Sequence, residues 1–241
     1  MPLRSLGYAT AHIGKWHLQG HGEKGTENFP QKHGFDINIA GQRAGQPGSY
    51  YFPYKSKEYP DTNVLDMEDG KPGDYLTDAL TTKAIGFIKD HAEKPFFLNL
   101  WYYTVHTPIE PRKDKLEKYT AKAKSLGLDT SKPPAISEHQ SLSNARQDNP
   151  AYAAMVESLD ENVGRLMAEL DRLGLARNTL VVFTTDNGYA PAGDIPSHRA
   201  LGHDSSGGFR GAKSDSYEGG HRVPFLARWP GVTPRAPRRR R

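Results

Sequence analysis

Phe96-Phe97-Leu98-Asn99-Leu100-Trp101-Tyr102-Tyr103 is a nearly continuous apolar and aromatic run, entered through Lys94-Pro95 and left through Thr104-Val105-His106-Thr107-Pro108. A run of this length and make-up reads as a strand buried on both faces, and such strands belong to parallel sheets. Just upstream, Leu76, Ala79, Leu80, Ala84, Phe87 and Ile88 fall on one helical stripe, which predicts a helix from Tyr75 to His91 with Asp74 or Thr77 at its cap. Downstream, Tyr152, Met155, Val156, Leu159, Val163, Leu166, Met167, Leu170 and Leu173 keep a 3.6-residue period, which predicts a long helix from Pro150 to Leu173, stopped by Gly174. Leu180–Thr185 and Val223–Trp229 read as further strands. Helices alternating with buried strands predict an α/β layered fold, with a mostly parallel central sheet between helices.

Between these elements lie two stretches without clear periodicity. Residues 41–73 are rich in turns and aromatics (Tyr50, Tyr51, Phe52, Tyr54, Tyr59), which suit loop packing or the wall of a pocket for a sugar or aryl group. Residues 112–149 are polar and predict a short helix plus a mobile loop. The expected organisation is one partial catalytic domain over 1–231, followed by a Pro/Arg-rich, disordered tail over 232–241.

Composition narrows the function classes. The 241 residues carry a net charge of +4, but five of the arginines sit at Arg235 and Arg238 to Arg241. Without that tail the chain is close to neutral, so no basic face for nucleic acid is expected. No window approaches the apolar length of a membrane span. There is no cysteine, hence no disulfide, and no signal peptide opens the sequence at Met1-Pro2-Leu3-Arg4-Ser5-Leu6. Oligomeric state and localisation stay open on these grounds.

In open α/β sheets, ligands bind at the carboxyl ends of the strands. The first strand runs out into His106 and the second into Asp186-Asn187-Gly188. Asp186 and Asn187 are hard oxygen donors that suit Ca²⁺ or Mg²⁺, although the same tripeptide serves as a plain turn. Near the amino end, Gly7-Tyr8-Ala9-Thr10-Ala11-His12-Ile13-Gly14-Lys15-Trp16-His17 sets a compact cation two residues from a titratable ring. Lys213, in Phe209-Arg210-Gly211-Ala212-Lys213-Ser214, is a second candidate anion ligand or one more solvated lysine. A zinc site of His12, His17 and His21 is disfavoured by the flexible Gly14 and Gly20. His198, Arg199 and His203 read as a solvated loop.

Taken together, the phrases Gly7–His17, Pro95–Pro108, Ser158-Leu159-Asp160-Glu161-Asn162-Val163-Gly164, Thr184–Gly188, Phe209–Lys213 and Tyr217–Pro224 resemble the sulfatase family of the alkaline-phosphatase-like superfamily. The wording between residues 28 and 112 is most similar to bacterial arylsulfatases and N-acetylgalactosamine-sulfatases. The resemblance implies an alkaline-phosphatase-like fold and a sulfuric ester hydrolase acting on carbohydrate or aryl sulfates. It implies that Asp186 and Asn187 coordinate Ca²⁺, that Lys15 and Lys213 bind sulfate oxygens, that His106 protonates the leaving alcohol, and that His17 assists turnover of a formylglycine nucleophile. It also suggests a periplasmic or secreted protein.

The sequence departs from the family pattern in one respect that bears on chemistry. Formylglycine arises from a Cys/Ser-x-Pro-x-Arg motif upstream of the Lys/His phrase, and no such motif occurs here. Ser131-Lys132-Pro133-Pro134-Ala135 has Ala135 in place of the arginine and lies on the wrong side of Lys15. The family's amino-terminal Asp pair, which completes the calcium shell, is also missing from these residues. The expectation is a piece covering the middle of a sulfatase domain, inactive by itself. Two alternatives are a non-catalytic binder of sulfated glycans and a phosphoester or phosphonate hydrolase of the same superfamily.

Overall fold

At the centre of the sheet lies a strand that its own residues do not advertise, β1 (Ala9–Gly14). In the computed structural model of the chain, which describes residues 2–18, 28–131, 147–190 and 209–234 and the strands Ala135–Glu138 and Ser141–Asn144, β1 is flanked by β2 (Ile37–Ile39) and β3 (Phe96–Trp101). Both pairings are parallel, with Ala11 opposite Ile37 and Leu98 and with Gly14 opposite Trp101. The parallel sheet expected from the 96–103 run is therefore present. Its strands are only half-buried along β3, whereas Thr10, Ala11, His12 and Ile13 of β1 are fully buried.

Thr10 and His12 are polar residues inside this core, and each is satisfied. The Thr10 hydroxyl is bonded to Asp36 Oδ2 at 2.8 Å and to the Gly34 carbonyl at 3.1 Å. His12 contacts the Gly14 carbonyl through Nε2 at 3.1 Å and Asn99 Nδ2 through Nδ1 at 3.3 Å. Burial lowers its pKa to about 4, against the raising effect of the bond to Gly14, so the ring is neutral. Edges of Trp16, Phe35 and Trp101 pack around it.

The chain divides into two compact units. The first comprises Met1–Thr120 and Ala151–Glu169. Here α2 (Leu76–Asp90), preceded in the chain by the short α1 (Pro2–Ser5), buries Leu76, Leu80, Ala84, Phe87 and Ile88 of the stripe read from the sequence, while Ala79 is only half-buried. Its cap differs from expectation. Asp74 Oδ2 accepts the Lys71 N–H at 2.8 Å and the Thr77 hydroxyl pairs with that of Thr104 at 2.6 Å, so neither side chain caps the helix. The Leu76 N–H goes to the Tyr50 carbonyl at 2.8 Å instead. The helix α3 (Lys113–Ser125) is the short helix expected within residues 112–149, and α4 (Pro150–Arg172) matches its predicted span to within a residue. Lys115 pairs with Glu161, and Lys118 Nζ lies 2.5 Å from Glu157 Oε1, which ties α3 to α4.

The contact between α2 and α4 is polar where periodicity predicts only apolar packing. Asn162, 1% exposed, donates to Asp78 Oδ1 at 2.5 Å and to the Ser158 carbonyl at 2.8 Å. Arg112 reaches Asp78 Oδ2 at 3.1 Å, and Arg165 reaches Asn162 Oδ1 at 2.8 Å.

The second unit comprises Ala121–Pro150 and Leu170–Arg241. It holds an antiparallel hairpin of β4 (Ala135–Glu138) and β5 (Ser141–Asn144), then β6 (Val181–Thr184), the short α5 (Glu218–His221) and β7 (Phe225–Arg228). The strands β6 and β7 pair antiparallel with each other, so the last strand does not extend a parallel ladder. Arg228 holds Asp171 at 3.0 Å, fixing β7 to the end of α4.

Candidate functional site

The first unit brings three of the six candidate residues to one end of the sheet. Lys15 and His17 follow β1 directly, and His106 follows β3 by five residues. Because β1 and β3 are adjacent and parallel, their carboxyl ends lie side by side. The Lys15 N–H donates to the Trp101 carbonyl at 2.7 Å. Gly14 makes this possible: its φ is +101°, and a β-carbon there would lie 2.0 Å from the Trp101 oxygen. Trp16 then anchors the segment, 6% exposed, with its indole donating to the Asn28 carbonyl at 2.7 Å. With Trp16 turned into the core, Lys15 is left half-buried and His17 exposed.

The segment 40–50 runs past both histidines. The His17 N–H donates to the Gln42 carbonyl at 3.0 Å, and the ring lies against Gly45. Gln46 Oε1 accepts from the Thr107 hydroxyl at 3.3 Å. The Tyr50 hydroxyl lies 2.7 Å from the Tyr103 carbonyl and 3.0 Å from that of His106, closing the turn that carries His106. Burial pushes the Tyr50 phenol far above its ordinary range, so it remains a donor. Glu110 Oε2 in turn accepts the Tyr50 N–H at 2.7 Å and the Ser49 hydroxyl at 2.8 Å.

None of Gln42, Gly45, Gln46, Tyr50, Thr107 and Glu110 stands out as functional in the sequence. Gln42 acts through its backbone carbonyl, which carries no residue signature. Tyr50 is fully buried, so for it the aromatic run is packing; Tyr51 and Tyr54 do form part of a pocket wall, and Tyr59 is exposed. A cavity of about 760 Å³ does open beside Tyr51, Asp78, Arg112 and Arg165, but it is not lined by Lys15, His17 or His106. Its charged groups answer one another, as the Arg112–Asp78 pair shows.

The second unit collects the other three. Asp186 and Asn187 form the turn after β6, with Asn187 Nδ2 on the Gly188 carbonyl at 2.8 Å. The Gly188 N–H donates to the Gly220 carbonyl at 2.8 Å, and the Lys213 N–H donates to the Tyr189 carbonyl at 2.8 Å. Lys213 thus runs alongside the Asp-Asn turn. Arg210 stacks 3.8 Å from the centre of the Tyr217 ring, stiffening the Gly211–Lys213 approach.

The Asp186 carboxylate and the Asn187 amide oxygen fit a hard divalent cation in kind. Tying Asn187 Nδ2 to Gly188 leaves its oxygen as the ligand end. In number they fall short, since Ca²⁺ takes about six to eight oxygens. Among the described residues no group of three His, Cys, Asp or Glu side chains could hold a metal. His12 is committed to Gly14 and Asn99, so it is not a zinc ligand alongside His17; His21, His198, Arg199, His203 and the arginine tail lie outside the described residues. No helix among the described residues is long and apolar enough to cross a membrane.

The sulfatase family model matches residues 2–241. An N-acetylgalactosamine-6-O-sulfatase of Bacteroides thetaiotaomicron is 28% identical over 285 residues, covering 95% of this chain and 50% of its own length. The N-acetylgalactosamine-6-sulfatase of Mus musculus is 31% identical over 244 residues, covering 95% of this chain and 39% of its own. The crystal structure of Ps i-CgsB superposes with a TM-score of 0.64 at 27% identity, over 96% of this chain and 47% of that one. The chain thus spans about half the length of the relatives it matches or less. A family match over residues 2–241 and a parallel sheet ending in the Lys-x-His phrase lead to one conclusion: this chain belongs to the sulfatase family.

Proposed function

We propose that the chain supplies the anion-binding and proton-delivering part of a sulfuric ester hydrolase acting on sulfated carbohydrates or aryl sulfates. The observation that carries this reading is the placement of Lys15 and His17 at the end of β1, next to the strand that leads to His106. In this reading Lys15 and Lys213 bind sulfate oxygens, offsetting charge that builds up on them during transfer. His106 gives a proton to the departing alcohol, a role an imidazole can fill. His17 stands two residues from Lys15 as a second imidazole at the same strand end. Asp186 and Asn187 would contribute two ligands to Ca²⁺, which when bound neutralises charge on the sulfate.

The nucleophile is a different matter. With no cysteine and no Ser-x-Pro-x-Arg in its 241 residues, the chain offers no precursor for formylglycine, and no step through that group is assigned to it. This favours a second reading for the chain by itself, calcium-dependent binding of a sulfated sugar without hydrolysis.

Both readings meet in one experiment. The purified chain is titrated with a monosulfated N-acetylgalactosamine and with an aryl sulfate, with and without Ca²⁺, while binding and sulfate release are followed. Saturable binding that weakens in Lys15→Ala and Lys213→Ala, without release, is the expected result. Tight binding of the phosphate analogue alone would move the assignment to phosphoesters, and no binding of either anion would sink it.

A further inference from the structure

We infer that Thr107 and Gln46 are positioning residues that fix the tautomer of the His106 ring, making Nε2 the atom that delivers the proton. The inference rests on the acid role proposed above for His106.

Nδ1 of His106 lies 3.2 Å from the backbone oxygen of Thr107 and 3.1 Å from its hydroxyl. A carbonyl oxygen only accepts, so this contact requires the hydrogen on Nδ1. The Thr107 hydroxyl donates to Gln46 Oε1 at 3.3 Å, which commits its hydrogen and turns its lone pairs to the ring. A single direction of donation then runs from Nδ1–H through Thr107 to Gln46. The bond made by one ring nitrogen sets the state of the other. With Nδ1 committed, the neutral ring carries its lone pair at Nε2, and the protonated ring has Nε2–H as its transferable hydrogen.

The turn beneath the ring is held as well. The His106 N–H donates to the Tyr103 carbonyl at 2.9 Å, and the Tyr50 hydroxyl reaches both ends of that turn. Transfer from Nε2 breaks one N–H bond and forms one O–H bond on the departing alkoxide. The ring is left neutral, with its remaining hydrogen on Nδ1.

The test reads the ring directly, without turnover. The chain is labelled with ¹⁵N-histidine, and long-range proton–nitrogen correlations are recorded at a pH where the rings are neutral. A His106→Gln sample identifies the His106 signals. Expected is a protonated-type Nδ1 and an unprotonated-type Nε2; the reverse pattern would overturn the inference. Thr107→Val should raise the Nε2–H population and Thr107→Ser should restore the parent pattern. Gln46→Ala should shift the ring the same way as the valine, by less, and gives an independent answer should Thr107→Val not fold. An unchanged tautomer in both Thr107→Val and Gln46→Ala would show that neither side chain positions the ring. Sulfate added to the same samples scores the functional reading separately: silence at His106 would remove the acid role, whereas a reversed tautomer with the His106 signals still responding to sulfate removes only the positioning.

Discussion

The ring of His17 rests on the backbone of Gly45 so closely that a β-carbon at residue 45 would lie 2.5 Å from both its Cε1 and its Nδ1. No side chain fits there while the ring stays where it is. The far end of a histidine can swing away, so Gly45→Ala should displace His17 rather than unfold the protein. Stability should change by less than about 1 kcal/mol. The ring signals of His17 should shift, and affinity for a sulfated ligand should fall by about tenfold, or 1.4 kcal/mol. Urea melts and ligand titrations of the same sample check both halves.

Tyr50 joins the two segments that present the histidines, and its hydroxyl is its means of doing so. Tyr50→Phe keeps the buried ring and removes the one hydrogen shared by the Tyr103 and His106 carbonyls, leaving Tyr103 only the His106 N–H. A loss of about 1–3 kcal/mol in unfolding free energy is expected, together with altered signals at His106. A variant as stable as the parent would show that the hydroxyl contributes nothing to the turn.

Asn162 bridges α2 and α4 through Asp78 and Ser158. Asn162→Ala should cost about 2–3 kcal/mol, because Asp78 loses a close donor in a half-buried site. The double variant with Asp78→Ala should cost clearly less than the two single changes added together, which a double-mutant cycle measures.

His12 gives the fold a pH dependence of definite sign. Its pKa drops from 6.5 to about 4 on burial, so the unfolded chain binds the proton more readily. Stability from this residue is complete above pH 6.5 and is lost as the pH falls to about 4, amounting to roughly 3 kcal/mol. Urea midpoints recorded across that range should show the fall. In His12→Gln that segment of the profile should flatten.

The helices were legible because their burial is periodic. The apolar stripe placed α2 within a residue at each end, predicting Tyr75–His91 against Leu76–Asp90, and α4 at Pro150–Leu173 against Pro150–Arg172. The strand β1 was not legible, since Ala9-Thr10-Ala11-His12-Ile13-Gly14 mixes small and polar residues. What buries it is partners supplied from afar, Asp36 for Thr10 and Asn99 for His12, and no local pattern announces these. The direction of β7 was equally hidden, because an apolar run does not say which neighbour it will pair with. At the candidate site, the chemistry-bearing side chains could be read from their positions after strands. The loop that holds them could not, because its contributions are a missing β-carbon at Gly45, a main-chain oxygen at Gln42 and a hydroxyl at Tyr50 aimed at main chain.

The middle position of β1 also sets an order of events during synthesis. Its two neighbours lie 26 and 87 residues further along by register, Ala11 pairing with Ile37 on one side and with Leu98 on the other. The Lys-x-His phrase leaves the ribosome early yet gains the Trp101 carbonyl as a partner only after residue 101 has emerged. Until then one long edge of β1 waits without its neighbour, and a nascent chain released before that point carries the central strand of the sheet paired on one side only.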